Sequence, residues 1–127
     1  MSRQAIATTH APAAIGTYSQ GIKAGHTIYL SGQLGLDPAS GNLHSDIEKQ
    51  IDQAFQNMRA VATAAGASLD DAVKLTLFLT DLGHFAKVNE TMARYFKQPY
   101  PARSTVQVAA LPKGAVFEAE AILVVTA

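Results

Sequence analysis

The segment "PARSTVQVAALPKGAVFEAEAILV", residues 101–124, contains two β-like runs separated by the turn residues Pro112–Gly114. In the second run Glu118 and Glu120 lie two positions apart, and strand residues at i and i+2 point to the same face. The neighbours on that face are apolar: Val116, Ile122 and Val124. Carboxylates among apolar neighbours need a counter-charge, a proton or a water. The pattern therefore predicts a sheet face that is neither an ordinary core nor an ordinary solvent-exposed surface.

The chain before this segment predicts two paired strands followed by a helix. Residues 17–24 and 27–32 favour β structure and flank Gly25-His26, which is typical of a hairpin turn. Ser45 and Glu48 have the spacing of a capping box, and Gly66 is placed to end the helix that follows. The residues at helical spacing between them are Ile47, Ile51, Ala54, Met58, Val61, Ala62 and Ala65.

A third strand and a second helix lie between Gly66 and the opening segment. Residues 72–80 alternate, with Val73, Leu75, Leu77 and Leu79 on one face. Residues 83–96 fit an amphipathic helix that ends before Pro99. The order predicts one α+β domain over residues 1–127, in which two helices cover one face of a sheet. Because the other face also carries apolar residues, we expect a homo-oligomer that buries it.

Composition narrows the class of function. The chain has 127 residues, with ten basic and ten acidic side chains, so it lacks the charge expected for binding nucleic acid or anionic membranes. It has no cysteine, which fits a reducing compartment. Its N-terminal residues include no long apolar segment, and we expect a cytoplasmic protein.

Common catalytic motifs are absent. The sequence has no phosphate-binding P-loop, no G-x-G-x-x-G and no G-x-S-x-G around Ser31. Its four histidines show no metal-binding spacing, so we expect no metal site. Arg103 is either a solvent-facing residue or a planar fork for a substrate carboxylate. Glu118 either forms a salt bridge on the sheet face or uses its carboxylate to orient a water or shuttle protons. Glu120 is interpreted as structural.

Three further positions have two interpretations each. Tyr18 and Asn89 could be packing residues or walls of a binding pocket. Ser31-Gly32 could be a simple strand-end turn, or a place where glycine lets a ligand approach the backbone.

Several stretches together resemble one family: "APAAIGTYSQG", "YLSGQLGLDPASGNL", "VNETMARYF" and "YPARSTVQVAALPKGAVFEAEAI". The sequence from Ile6 to Val124 is similar to the RidA/YjgF family of enamine/imine deaminases. The resemblance implies a chorismate-mutase-like α+β fold, with a mixed β-sheet and two helices packed on one face. It also implies a homotrimer with sites between subunits. The implied reaction converts imines such as 2-aminoacrylate, released by pyridoxal-phosphate enzymes, to 2-keto acids and ammonia, without a cofactor or metal.

The resemblance also implies roles for single residues. Arg103 would bind the substrate carboxylate, assisted by the backbone at Gly32 and the region of Ser31, and Glu118 would position the attacking water. Three residues would complete the cleft: Tyr18, Asn89 and Thr105. Thr17 replaces a frequent family proline, and residues 97–99 form a shorter loop than in many members. The resemblance therefore does not define the shape of the cleft.

Two other functions remain alternatives. A ribonuclease or translation inhibitor would need a basic groove with stacking aromatics, which the balanced charge does not favour. A non-catalytic module that binds 2-keto acids would also need Arg103, but Glu118 favours catalysis.

Overall fold

The computed structural model describes residues 2–126 as a six-stranded sheet with two α-helices. The elements are β1 (Arg3–Ile6), β2 (Gly21–Ala24), β3 (Thr27–Leu34), α1 (Ile47–Ala64), β4 (Ala72–Leu79), α2 (Phe85–Met92), β5 (Ala102–Gln107) and β6 (Phe117–Val124). The strand order is β1-β2-β3-β6-β4-β5, and every neighbouring pair is antiparallel except β4 and β5. The predicted α+β class is confirmed, and the sheet is mixed.

Strand β6 lies between β3 and β4, so the two strands of residues 101–124, β5 and β6, are not neighbours. The turn at Pro112–Gly114 joins them in sequence, and β4 separates them in the sheet. Sequence patterning does not reveal such an insertion, because it reports which face a residue occupies and not which strand lies beside it.

The helices cover one face of the sheet. Helix α1 packs on β3 and β6 as well as on α2. Fully buried residues of the sheet and of α1 form the core, among them Phe55, Leu75 and Phe117. The Phe55 and Phe117 rings meet edge to face with centroids 5.6 Å apart. The alternating burial of β6 leaves Glu118 and Glu120 on the opposite face, as the sequence predicts.

Three local predictions need correction. The predicted strand over residues 17–24 begins only at Gly21, and β1 was missed because four residues are too few for a clear pattern. The cap of α1 is Asp46, whose side chain accepts from the Lys49 N–H, rather than Ser45. Helix α2 is shorter than residues 83–96, since its first residues form a separate 3-10 turn and it ends at Met92.

Two irregularities in the sheet change where side chains point. Val73 is exposed rather than buried, because the pairing of β4 with β6 shifts between Ala72 and Lys74. In β3 the pairing with β6 shifts between Leu30 and Gln33, which places Ser31-Gly32 in a bulge. The turn predicted at Gly25-His26 is confirmed, with Gly25 at a positive φ of 62°. In residues 2–126 we find no helix with the length and apolarity needed to cross a bilayer.

Candidate active site

Arg103 is held beside helix α2 by three neighbours. In the parallel β4–β5 pair it lies opposite the buried Leu75, so its side chain points to the helix-covered face. Its Nη1 donates to Asn89 Oδ1 at 2.6 Å and lies 3.6 Å from Met92 Sδ. Its Cζ lies 5.0 Å from the centre of the Phe85 ring. These contacts fix the plane of the guanidinium while using one of its terminal nitrogens.

The Arg103 cavity has a volume of about 530 Å³ and contains one cation among neutral walls. Its lining residues are Asn89, Met92, Ala93, Tyr100, Pro101 and Arg103. A single guanidinium in such a cavity suits a ligand with one carboxylate, which can take both parallel N–H bonds of a fork.

Thr105 follows Arg103 by two residues and points to the same face of β5. Its Oγ1 is buried, and no hydrogen-bond partner for it occurs among residues 2–126. A buried hydroxyl without a partner is uncommon in proteins. Thr105 therefore offers an unused donor and acceptor on the side of the sheet that carries Arg103.

Glu118 lies on the other face of the sheet. It is paired with Phe78 on β4 and with Leu34 on β3, and it is half-buried. Burial raises the pKa of the Glu118 carboxyl above its ordinary value of 4.5, and the negative charge of Glu120 raises it further. Glu118 thus retains its proton to a higher pH than an exposed glutamate does, which suits a group that exchanges protons.

Gly32 leaves the space that the Glu118 carboxyl occupies. A Cβ atom at Gly32 would lie 2.9 Å from both the carboxyl carbon and Oε2 of Glu118. The sequence alone leaves this glycine as either part of a strand-end turn or a point where a ligand approaches the backbone. The structure shows another reason for it, because any larger residue would displace the carboxylate.

The Glu118 cavity has a volume of about 960 Å³ and includes Tyr18, Ser31, Gly32 and Glu120. Tyr18 is 53% exposed and forms part of the wall. Ser31 donates its hydroxyl to the carbonyl of Ser19, and its N–H donates to the carbonyl of Gln20. Both hydrogen-bond donors of Ser31 therefore bind the segment that carries Tyr18, and Ser31 shapes the cavity by holding that wall.

The residues selected from sequence form two groups rather than one. Asn89, Arg103 and Thr105 lie on the helix side of the sheet, whereas Tyr18, Ser31, Gly32 and Glu118 line the cavity on the other side. Within one chain, Arg103 and Glu118 are thus on opposite faces.

Sequence reasoning missed Phe85, Met92 and Tyr100 in the Arg103 cavity and its surroundings. Phe85 and Met92 lie within the helix predicted over residues 83–96. The available signal was their spacing with Asn89, since residues at i, i+4 and i+7 share one helix face. No group of three or more His, Cys, Asp and Glu side chains within residues 2–126 could hold a metal ion.

Comparison with known proteins identifies the family. A family model described as "Endoribonuclease L-PSP", which covers the RidA/YjgF proteins, matches residues 8–125. The chain belongs to the RidA/YjgF family. The human protein named 2-iminobutanoate/2-iminopropanoate deaminase is 46% identical to this RidA-family chain over 123 residues, which are 96% of this chain and 90% of the human one.

Solved structures of relatives have the same fold. RidA from an Antarctic Psychrobacter species is 52% identical, with a TM-score of 0.94 over 96% of this chain and 99% of its own. Escherichia coli TdcF, crystallised with bound serine, is 40% identical, with a TM-score of 0.92 over 97% of this chain and 99% of its own. The mixed sheet with two helices is therefore the family fold, and the predicted family membership is confirmed.

Proposed function

We propose that this protein is an enamine/imine deaminase, which hydrolyses 2-aminoacrylate, 2-iminopropanoate and 2-iminobutanoate to 2-keto acids and ammonia. The observation that carries the proposal is that the candidate residues form two different cavities, one around Arg103 and one around Glu118. One cavity holds a fixed cation that suits a carboxylate, and the other holds a carboxyl group with a raised pKa. The deaminase name of the human relative supports the same reaction.

The proposed active site lies between subunits of a homotrimer. The sheet face without helices exposes large apolar side chains, namely Tyr29, Val106 and Val124 at 50%, 42% and 43%. Such a face favours association with another copy. In a cyclic trimer each interface joins two different surfaces, so the Arg103 side of one copy can meet the Glu118 side of the next. Association would complete three equivalent sites.

The proposed reaction begins with Arg103 binding the carboxylate of the imino acid through its free N–H groups. Ionised Glu118 accepts a proton from a water as that water attacks C2, and a carbinolamine forms. Glu118 then returns this proton to the nitrogen and accepts the hydroxyl proton of the carbinolamine as the C–N bond breaks, so that the C=O of the 2-keto acid forms and ammonia leaves as the second product. We propose a cofactor-free reaction, because one anchor and one proton acceptor account for every step.

A coupled assay tests the proposal. A pyridoxal-phosphate serine dehydratase releases 2-aminoacrylate, and 2-keto acid formation is followed with wild type, Arg103→Ala and Arg94→Ala. We expect acceleration by wild type and by the Arg94→Ala control, since Arg94 lies outside both cavities. Arg103→Ala is expected to give only the uncatalysed rate. An inactive wild type of correct oligomeric state would refute the deaminase activity.

A binding protein for small carboxylates is the second candidate, favoured by the serine bound in crystalline TdcF. It also uses Arg103 as the carboxylate anchor but requires no proton acceptor. Calorimetric titration with 2-oxobutanoate separates the two, because a binding protein would retain affinity without accelerating imine hydrolysis. A ribonuclease would instead degrade RNA in the same preparation, which the balanced charge of the chain does not favour.

A further inference from the structure

Three amide side chains form a row along one face of α1: Gln50, Gln53 and Asn57. Their spacing of three and then four residues places them one above another on the helix. Gln50 is 3% exposed and Asn57 is fully buried, whereas the other buried residues of α1 are apolar. Buried amides need partners, and those of this row include the backbone of Leu34 and Leu36, which line the Glu118 cavity.

Asn57 holds the end of β3. Its Nδ2 donates to the carbonyl oxygens of Leu34 at 3.1 Å and Leu36 at 2.9 Å. Its Oδ1 accepts from Gln53 Nε2 at 2.8 Å, and Gln53 Oε1 lies 3.2 Å from His44 Nε2. The hydrogen bonds therefore run from Gln53 through Asn57 to the strand, with the His44 ring at the other end of the row.

Gln50 joins the loop that contains His44, between β3 and α1, to the residue that precedes β6. Its Nε2 donates to the carbonyl of His44 at 2.8 Å, and its Oε1 accepts from the N–H of Val116 at 3.0 Å. Val116 precedes Glu118 by two residues. Gln50 is thus a direct link between α1 and the backbone that leads into the Glu118 position.

The segments held by the row surround Glu118. Leu34 is its pairing partner on β3, and Leu36 lines its cavity. Gly35 lies between them against α1, where an added Cβ would collide with the backbone of Gln50. The row therefore fixes both strands that place the Glu118 carboxyl against Gly32.

We propose that the amide row of Gln50, Gln53 and Asn57 positions Glu118 for catalysis by locking the end of β3 and the start of β6 onto helix α1. Only the catalytic consequence rests on the proposed deaminase activity. The geometric claim concerns the environment of one carboxyl group, and it can be tested in a protein of any function.

The alternative is that the row only stabilises the fold by pairing buried backbone groups. The two roles differ in what they do to Glu118. If the row holds the two strands in place, its loss lets water reach the carboxyl, and the pKa of Glu118 falls toward 4.5 because its first cause is burial. A purely stabilising role would lower the melting temperature and leave the titration of folded protein unchanged.

The test compares Gln50→Met and Gln53→Met with Gln56→Met as the control. Gln56 belongs to the same helix but is exposed, and its side chain donates to Asp52 rather than to β3 or β6. The Glu118 carboxyl is titrated by ¹³C NMR in each full-length protein, with the signal assigned from Glu118→Gln. The other titratable groups that line its cavity are Tyr18, Lys113 and Glu120, and their own transitions are followed where resolved.

We expect Gln50→Met to lower the Glu118 pKa clearly, Gln53→Met to lower it less, and Gln56→Met to leave it unchanged. We also expect kcat to fall about 10- to 100-fold in Gln50→Met with KM unchanged, since a misplacement of about 1 Å has effects of that size. The half-buried Gln53 keeps the test decisive if Gln50→Met does not fold.

An unchanged Glu118 pKa in the folded row variants overturns the inference. If wild type does not hydrolyse imines, the deaminase proposal fails, while the NMR titration still decides the positioning role. The two failures are therefore distinguishable.

Discussion

The two halves of the candidate site hold their charges by opposite means. Arg103 is fixed by contacts, through the amide of Asn89 and the ring of Phe85. Glu118 forms no salt bridge within residues 2–126 and is placed by limited space, against Gly32 and next to the negative charge of Glu120. The difference indicates a division of labour. A binding group benefits from a fixed orientation, whereas a proton acceptor benefits from an environment that makes its charged form less stable.

Mixing two inactive variants tests most directly whether the halves belong to different subunits. Alone, Glu118→Gln should lower kcat about 10²- to 10⁴-fold, the usual contribution of a general base. Arg103→Ala should lower kcat/KM by a factor equivalent to a loss of about 2–5 kcal/mol of transition-state binding, the usual effect of removing one member of a charged pair.

Co-expressed in equal amounts, the two variants should form mixed trimers with about one third of wild-type activity, because one of the three cyclic interfaces in each mixed trimer joins an intact Arg103 to an intact Glu118. Activity is measured on mixed oligomers purified through two different tags. Complete inactivity of the mixture would show that both groups must come from one chain.

Gly32→Ala tests whether space alone places Glu118. The added Cβ would lie 2.9 Å from its carboxyl, so the side chain must move while the strand stays. We expect kcat to fall about 10²-fold, as for other displacements of about 1 Å, with little change in melting temperature. Gly83→Ala is the control, since its Cβ meets only the end of the Asp81 side chain at 3.0 Å. Retained activity in Gly32→Ala would mean that Glu118 tolerates other positions.

Glu120→Gln tests the electrostatic part of the comparison. Removing this negative charge removes one of the two causes that raise the pKa of Glu118. The ionised base should then persist to lower pH, so the acidic limb of the kcat–pH profile should shift toward lower pH while the rate on the plateau stays similar. The profile is measured from about pH 4 to about pH 9, a range that includes the ordinary pKa values of glutamate and histidine side chains. A shift in the opposite direction would contradict the assigned role of Glu120.

The smallest effect is expected on the arginine side. Phe85→Leu removes the ring below the guanidinium and should raise KM about two- to fivefold, the equivalent of about 0.5–1 kcal/mol for an exposed cation–π contact. Phe85→Tyr should restore wild-type KM, because it retains an aromatic face. Phe85 is 38% exposed, so neither change should unfold the protein. Equal KM values in all three proteins would show that Asn89 suffices to orient Arg103.

Local periodicity gave most of the elements of this fold correctly. The alternation of β4 and the helical spacing of α1 are dictated by burial on one side, which leaves a direct trace in sequence. Strand β1 was missed because it is short, and Asp46 was missed because Ser45, one residue earlier, has an equally good capping side chain.

The candidate residues could be selected from sequence, but their arrangement could not. Arg103 and Glu118 were chosen for their chemistry, and the structure puts them on opposite faces because Arg103 is in register with Leu75 of β4 and Glu118 with Phe78 of the same strand, three residues later. Strand order depends on long-range pairing, of which a local pattern contains no record. The amide row of α1 was missed for a related reason, since Gln50 and Asn57 look like ordinary polar helix residues until their backbone partners are known.

The central place of β6 has a consequence for how the protein is made. The strands on its two sides, β3 and β4, have no other strand between them, so the sheet stays in two separate pieces until the last strand of the chain has left the ribosome. The early pieces expose apolar faces during that delay, when unfinished sheets are prone to aggregate. Ribosome-bound chains in which synthesis stops before Phe117 should therefore bind chaperones. Chains in which β6 has emerged through Val124 should not.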